Sequence, residues 1–413
     1  MRVAPWLPLL LGFLTAVGPV STDMYLPAFP AIEASFGALT GTAQMTLASW
    51  FAGLAFGQIT QGSLSDRFGR RGPLLIGTIL YTLASAACAL APGILWLTVF
   101  RVVAAVGGSA SMVIPRAVVR DLADGHAAAR LMSRLILVMG VAPILAPTLG
   151  GAVLGFAGWR TIFWICTGYG AVCSLLVFFL LPDTMPKDHR LRLGAVDLIR
   201  RYAAIACERS FITHALQGGF CMFGLFAYLA GSPGVFIELF HLPPARYGMV
   251  FGSCAAAYIL AAQVNAAILP RFGSFAVLRA AVWGSLIATG ALILVAFSEW
   301  GGVLAVIVPI FVNMSCMGFI LPNATVGALS RHPRNAASAS ALMGTIGFVL
   351  GAVSGVLAGV LSDGTARPMA VLMFAGAVGA VVADLLRPKT QALQAPALLS
   401  GPLSARSSLA GDS

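Results

Sequence analysis

Two side chains stand out from an otherwise apolar chain as able to do chemistry. Asp23 is the one acidic residue inside the first eleven long apolar runs, and Arg101 is a guanidinium well inside the fourth. A carboxyl group in hydrocarbon can take up and release a proton, and an ionisable group at such depth marks a functional site by default. At a helical rise of about 1.5 Å per residue, Asp23 lies about 26 Å along its run and Arg101 about 8 Å below the same membrane face. The two therefore reach similar depth, which predicts that they pair or share a water-filled cavity. The plainer alternatives are a structural carboxylate at the interface and an arginine that snorkels toward it.

A second constellation is the turn Gly62-Ser-Leu-Ser-Asp-Arg-Phe-Gly-Arg-Arg71. Residues 45–65 and 72–100 contain no Asp, Glu, Lys or Arg, yet Asp66, Arg67, Arg70 and Arg71 crowd the join between them. Gly62 and Gly69 permit close helix approach and a sharp reversal, so this is a loop at a membrane surface. Farther along, Arg116 and Arg120 share a helix face ahead of Asp121, placed to hold the surface or to clamp Asp66. The run Gly140 to Gly151 holds Pro143, Pro147, Gly150 and Gly151. The prolines remove backbone hydrogen bonds and the glycines admit a neighbour, which predicts a bent, tightly packed helix. Tyr25, Gln58, Gln217, Tyr228 and Asn313 are tentative lining for a substrate cavity, although a single polar side chain in a span more often bonds a neighbouring helix. Helix 3, with Tyr81, reads as scaffold, and Asp384 as a surface carboxylate. The seven cysteines form no CxxC pair and the five histidines show no metal-ligand spacing, so no metal site is expected. With no HExxH, GxSxG or phosphate-binding loop either, the chain does not read as an enzyme.

These residues need helices to position them. Of 413 residues, 59% are hydrophobic and 9% charged, far from the roughly 25% charged residues of a soluble domain. The chain is expected to be an all-α polytopic membrane protein. Twelve spans are predicted at 6–28, 45–65, 74–91, 94–117, 135–156, 161–182, 211–232, 247–269, 278–298, 302–324, 336–361 and 368–386. Their apolar character all round excludes the alternation of a membrane β-barrel. With the amino terminus inside, 21 of the 25 Lys and Arg residues fall on or beside the cytoplasmic face, a strong positive-inside asymmetry. The net charge of +11 is then explained by topology and anionic lipid contact, without nucleic acid. The first run continues through Asp23 without a small-residue cleavage site and is expected to be retained, and to end within Met24–Pro30, where two prolines a few residues apart do not continue a helix. The hydrophilic stretch from Pro182 to Ser210 divides the chain nearly in half, and Gly62–Gly69 aligns weakly with Ala266–Gly273 at an offset of 204.

The 62–71 stretch matches Gly-x-Leu-Ala/Ser-Asp-Arg-x-Gly-Arg-Arg/Lys and so resembles the signature loop between helices 2 and 3 of major facilitator superfamily transporters. Ser21–Pro30, Phe100–Gly108, Ile114–Asp121 and Ala146–Gly151 resemble the Bcr/CflA branch of twelve-helix drug:proton antiporters. Ala104, Ala146 and Thr15 depart from that branch, where Gln, Gly and a second acid are frequent. The resemblance implies two pseudo-symmetric six-helix bundles (1–182 and 211–386), a cytoplasmic linker (183–210) and a disordered tail (387–413). It implies proton-coupled efflux of small lipophilic drugs, such as bicyclomycin- or chloramphenicol-type antibiotics, with Asp23 and Arg101 in proton coupling. The energy source would be the proton gradient rather than a cofactor, and the partners a small-molecule substrate, protons and the lipid bilayer. The setting would be a monomer in a bacterial inner membrane with both termini cytoplasmic. The 62–71 loop would latch the inner gate, with Asp66 at the amino terminus of helix 11 and Arg67 and Arg70 nearby. Export of an amino acid or sugar by the same machine, or a transport-dead sensor, leaves every sequence feature unchanged.

Overall fold

A backbone in hydrocarbon must satisfy its own hydrogen bonds, and a helix does this within one segment. In the computed structural model, which describes residues 6–122, 125–185, 195–298, 301–332 and 336–388, the regular elements are all helices. They are α1 (Leu7–Thr15), α2 (Val17–Asp23), a 3-10 turn (Leu26–Ala28), α3 (Phe29–Phe36), α4 (Thr42–Phe68), α5 (Arg71–Ala89), α6 (Ile94–Leu122), α7 (Gly125–Ala157) and α8 (Trp159–Leu180). After the linker come α9 (Ala195–Ala206), α10 (Arg209–Pro233), a π-helical turn (Gly234–Leu239), α11 (Pro244–Ser298), α12 (Gly302–Leu329), α13 (Ala336–Val360) and α14 (Arg367–Leu385).

Nine of the described helical stretches are long and apolar enough to cross a membrane, and one of them, Pro244–Ser298, contains two of the expected spans. The more polar α4 and the Val141–Ala157 part of α7 supply the remaining two. The twelve expected spans are thereby all helical, and the chain forms two pseudo-symmetric six-helix bundles.

Three local expectations are corrected. The two prolines after Tyr25 do not end the first span. Pro27 opens the 3-10 turn and Pro30 lies in the first turn of α3, where a missing N–H leaves no bond broken. Gly62 makes no reversal either, because α4 continues to Phe68 and the chain turns at Gly69, whose φ is +92°. The loop expected between spans 8 and 9 reduces to one residue, Gly273, with φ 73° and ψ 153°. Gly69, at φ 92° and ψ 174°, adopts the same conformation at the equivalent point of the repeat. The likeness extends to side chains: the Arg67 and Arg271 guanidinium carbons each lie 5.4 Å from the following Phe ring, Phe68 and Phe272.

The two halves meet along two antiparallel helix pairs. In one, α4 lies against α13, with the Phe51 ring stacked 6.3 Å from Phe348 and Thr345 Oγ1 donating to the Ala55 carbonyl at 3.4 Å. Small residues allow this approach: a Cβ placed on Gly355 would lie 3.0 Å from that of Ala48, and one on Gly359 would lie 2.6 Å from the Gly41 carbonyl oxygen. In the other pair, α7 lies against the first part of α11, where Gly248 fits over Thr148. These contacts crowd the end opposite the 62–71 turn, called here the far end. One space left there between the halves, beside Gln44 and Glu238, is about 30 Å³, room for a water.

Candidate functional site

Arg101 is 1% exposed, and α2 decides how it is held. That short helix ends at Asp23, so the carbonyls of its last turn lack intrahelical partners and attract a cation. Arg101 Nη1 donates to the Ser21 carbonyl at 2.8 Å. The guanidinium carbon lies 4.5 Å from the Trp50 ring centroid and 4.6 Å from that of Tyr25, with Phe163 at 6.0 Å, a desolvated cation–π setting. The Tyr81 and Ser21 hydroxyls meet at 2.5 Å, so α5 is part of this site and not only scaffold. Tyr25 bonds Thr46 through its hydroxyl.

The expected pairing of Asp23 with Arg101 does not occur. The arginine is held by a backbone carbonyl and aromatic faces, while the buried Asp23 carboxylate lies within electrostatic reach of Tyr228 and Tyr247 on the other half. Arg101 Nε and Nη2 and Trp50 Nε1 are buried donors without a hydrogen-bond acceptor. Snorkelling is excluded by the same burial.

The 62–71 turn is organised by Arg70. Nη1 reaches Asp66 Oδ1 at 2.6 Å and Ser65 Oγ at 2.7 Å, and Nε reaches Asp121 Oδ2 at 2.7 Å. Its backbone N–H donates to Asp183 at 2.9 Å. Arg70 thus ties α4 to α6 through its side chain and to the end of α8 through its backbone. Burial opposes its charge, but the bonds to Asp121 and Asp66 outweigh that and raise its pKa above the ordinary arginine value. Arg71 Nη2 donates to the Phe178 carbonyl at 2.5 Å, and Arg67 is exposed. Asp66 is therefore clamped by Arg70. Arg116 is exposed, and the Arg120 side chain lies outside the described residues. Residues 333–335, just before α13, also lie outside them, and the expected latch of Asp66 falls there.

In α7 the helix runs on past Pro143 and Pro147. Its two motif glycines face opposite partners. A Cβ on Gly150 would collide with the Met24 carbonyl, next to Asp23, and one on Gly151 would lie 2.6 Å from the Pro244 carbonyl of the other half. The motif therefore joins the turn that carries Asp23 to the start of α11.

Of the tentative cavity residues, Gln58 lies at the seam, 3.4 Å from where a Cβ on Gly344 would sit, and Tyr228 is buried there on α10. Tyr25, Gln217 and Asn313 are corrected: each is buried within one half. Asn313 accepts from Ser285 at 2.6 Å, and Gln217 donates to Asp384 at 3.1 Å. Asp384 is likewise no surface group. It is buried and ion-paired with Arg387 at 2.7 Å, and Arg387 lies 4.1 Å from the Phe275 ring, so the supposed tail begins as part of the bundle. The spacing of Asp384 and Arg387, three apart at the end of an apolar run, is the signal that would have found this pair.

A family model of the Major Facilitator Superfamily matches residues 11–356. An uncharacterised MFS-type transporter of Bacillus subtilis, YdgK, is 35% identical over 90% of this chain and 92% of its own. A bicyclomycin resistance protein homolog of Haemophilus influenzae is 31% identical over 91% and 94%. Among solved structures, a bacterial homolog of the human lysosomal transporter Spinster, inward-facing and occupied, superposes with a TM-score of 0.73 at 16% identity over 92% of this chain and 95% of its own.

Proposed function

Because the chain belongs to the Major Facilitator Superfamily, we propose that it exports small lipophilic compounds, of the bicyclomycin or chloramphenicol type, in exchange for protons. The bicyclomycin resistance homolog supports that substrate class. The basic end and both termini face the cytoplasm of a bacterial cell, the membrane is the inner one, and the working unit is a monomer driven by the proton gradient. Residues 1–182 and 211–386 are the two moving halves, and 183–210 links them.

The observation that carries this reading is the arrangement around Asp23: a buried carboxylate at the seam, no counter-ion on it among the described residues, and orphaned donors of Arg101 and Trp50 in the same half. A carboxyl group in apolar surroundings keeps its proton, and the same group against a guanidinium gives it up. Movement of Asp23 between those settings, as the halves rock about a central site, loads the proton from one side and releases it to the other. Arg101, in the same half, favours release of that proton to the cytoplasm while the far end is closed, and substrate binding at the seam competes with the proton.

Everted membrane vesicles test this. Under an inward-acid gradient, addition of lipophilic antibiotics, dyes or small metabolites should trigger proton efflux from wild type but not from Asp23→Asn expressed at the same level. Collapse that survives in the variant would reduce Asp23 to a structural role. Collapse triggered by an amino acid or sugar alone would move the cargo to a metabolite, and no response to any compound would overturn antiport.

A further inference from the structure

Asp23 has neighbours on both sides of the seam, and almost all of them are committed elsewhere. In its own half α2 packs on α6, α7 and α8. From α6, Arg101 is held by the Ser21 carbonyl through Nη1 and by ring faces, with Nε and Nη2 unpaired, and from α8, Tyr169 bonds the Phe13 carbonyl. Described side chains of α7, residues 141–157, include no titratable group. Across the seam, the 3-10 turn after Asp23 packs against α10 and α11. Tyr247 of α11 directs its hydroxyl to Ser232 at 2.9 Å. Tyr228 of α10 is different: it is 1% exposed, its ring is stacked on Phe251 at 5.4 Å and 12°, and its hydroxyl has no hydrogen-bond partner. The polar group beside it in its own half, the Cys254 thiol, is a weak acceptor.

A fixed, orphaned hydroxyl opposite a buried carboxylate without a partner is an unmade bond between the halves. We propose, on the antiport reading above, that Tyr228 is a positioning residue whose hydroxyl binds ionised Asp23 and holds the empty, deprotonated carrier closed at the far end. Hydrogen bonds to a charged acceptor are roughly twice as strong as neutral ones, so the hold belongs to the ionised state. Protonation of Asp23 removes it, and substrate seated at the seam displaces it. Both productive states can then reorient, and the empty deprotonated state cannot. Antiport needs that restriction, because an empty carrier that reorients freely completes a proton leak without cargo.

Tyr228→Phe keeps the ring stacked on Phe251 and deletes the bond. In proteoliposomes with an acid interior and no substrate, wild type should hold its gradient, while Tyr228→Phe dissipates it about tenfold faster, the loss expected for one hydrogen bond to a charged group. Tyr247→Phe should hold the gradient as wild type does. Adding Asp23→Asn to Tyr228→Phe should abolish the leak, because the leaked proton travels on that carboxyl; a merely loosened bundle would leak regardless. A wild type that couples substrate to protons beside a Tyr228→Phe that leaks no more than wild type overturns the role of Tyr228. A wild type that never couples overturns the antiport reading instead.

Discussion

At the scale of single residues, charge and hydrogen-bond geometry decide different things. The nearness of Arg101 to the segment that carries Asp23 was readable from helical rise, because it depends on counting residues into an apolar run. The separation of the two charges was not readable, since the group that captures the guanidinium is the Ser21 carbonyl at a helix end together with two ring faces, and neither leaves a mark in a charge pattern. That setting makes a prediction. Arg101→Lys keeps the charge but not the planar face that lies against Trp50 and Tyr25; it should insert normally and lose transport by about tenfold, the change expected for about 1.4 kcal/mol. Transport at wild-type rate would mean that charge alone is needed there. At Arg70 the expectation concerns stability. Arg70→Ala leaves Asp66 and Asp121 without their cation, and because both carboxylates are partly exposed (33% and 20%) the cost should be about 2 kcal/mol rather than the larger loss of a fully buried pair. A thermal melt in detergent reads it, and Arg70→Lys should recover part of the loss.

At the scale of elements, the sequence conveyed periodicity and punctuation well and tertiary partners poorly. All twelve spans were legible as apolar runs, and the weak repeat proved to mark the matching turns at Gly69 and Gly273. Pro30 misled because a proline reads alike whether it ends one helix or opens the next. Gln217 and Asn313 misled because a polar side chain in a span looks the same from either side of the helix that carries it. The α7 glycines show what only coordinates supply: adjacent residues with opposite partners. Gly150→Ala pushes against the Met24 carbonyl and displaces the turn that carries Asp23, so it should impair coupling together with folding yield. Gly151→Ala meets the Pro244 carbonyl across the seam, so it should leave the yield of folded protein intact and shift the chain toward the far-end-open state. Accessibility of a single engineered cysteine at the far end to a membrane-impermeant maleimide separates the two.

At the scale of the whole molecule, the structure captures one end of a cycle. The far end is shut by α4 against α13 and by α7 against α11, and a transporter that alternates must break both contacts once per turnover. Ala48 and Gly355 face each other in the first of these, with the two Cβ positions 3.0 Å apart, somewhat under the usual disulfide span of about 3.5–4.5 Å. A small adjustment of either helix suffices to bridge them. In a background freed of its seven cysteines, Ala48→Cys with Gly355→Cys should form a disulfide under mild oxidation, stop transport, and recover it on reduction. Substrate binding from the basic side should survive the lock, because the bridge closes only the far end. If the oxidised protein still turns over, α4 and α13 do not part at this level, and the opening must be carried by α7 and α11 alone. Tyr228 and Asp23 lie nearer that second pair, through Tyr247 on α11 and Gly150 on α7, so the same experiment decides which of the two seams the Asp23 proton controls.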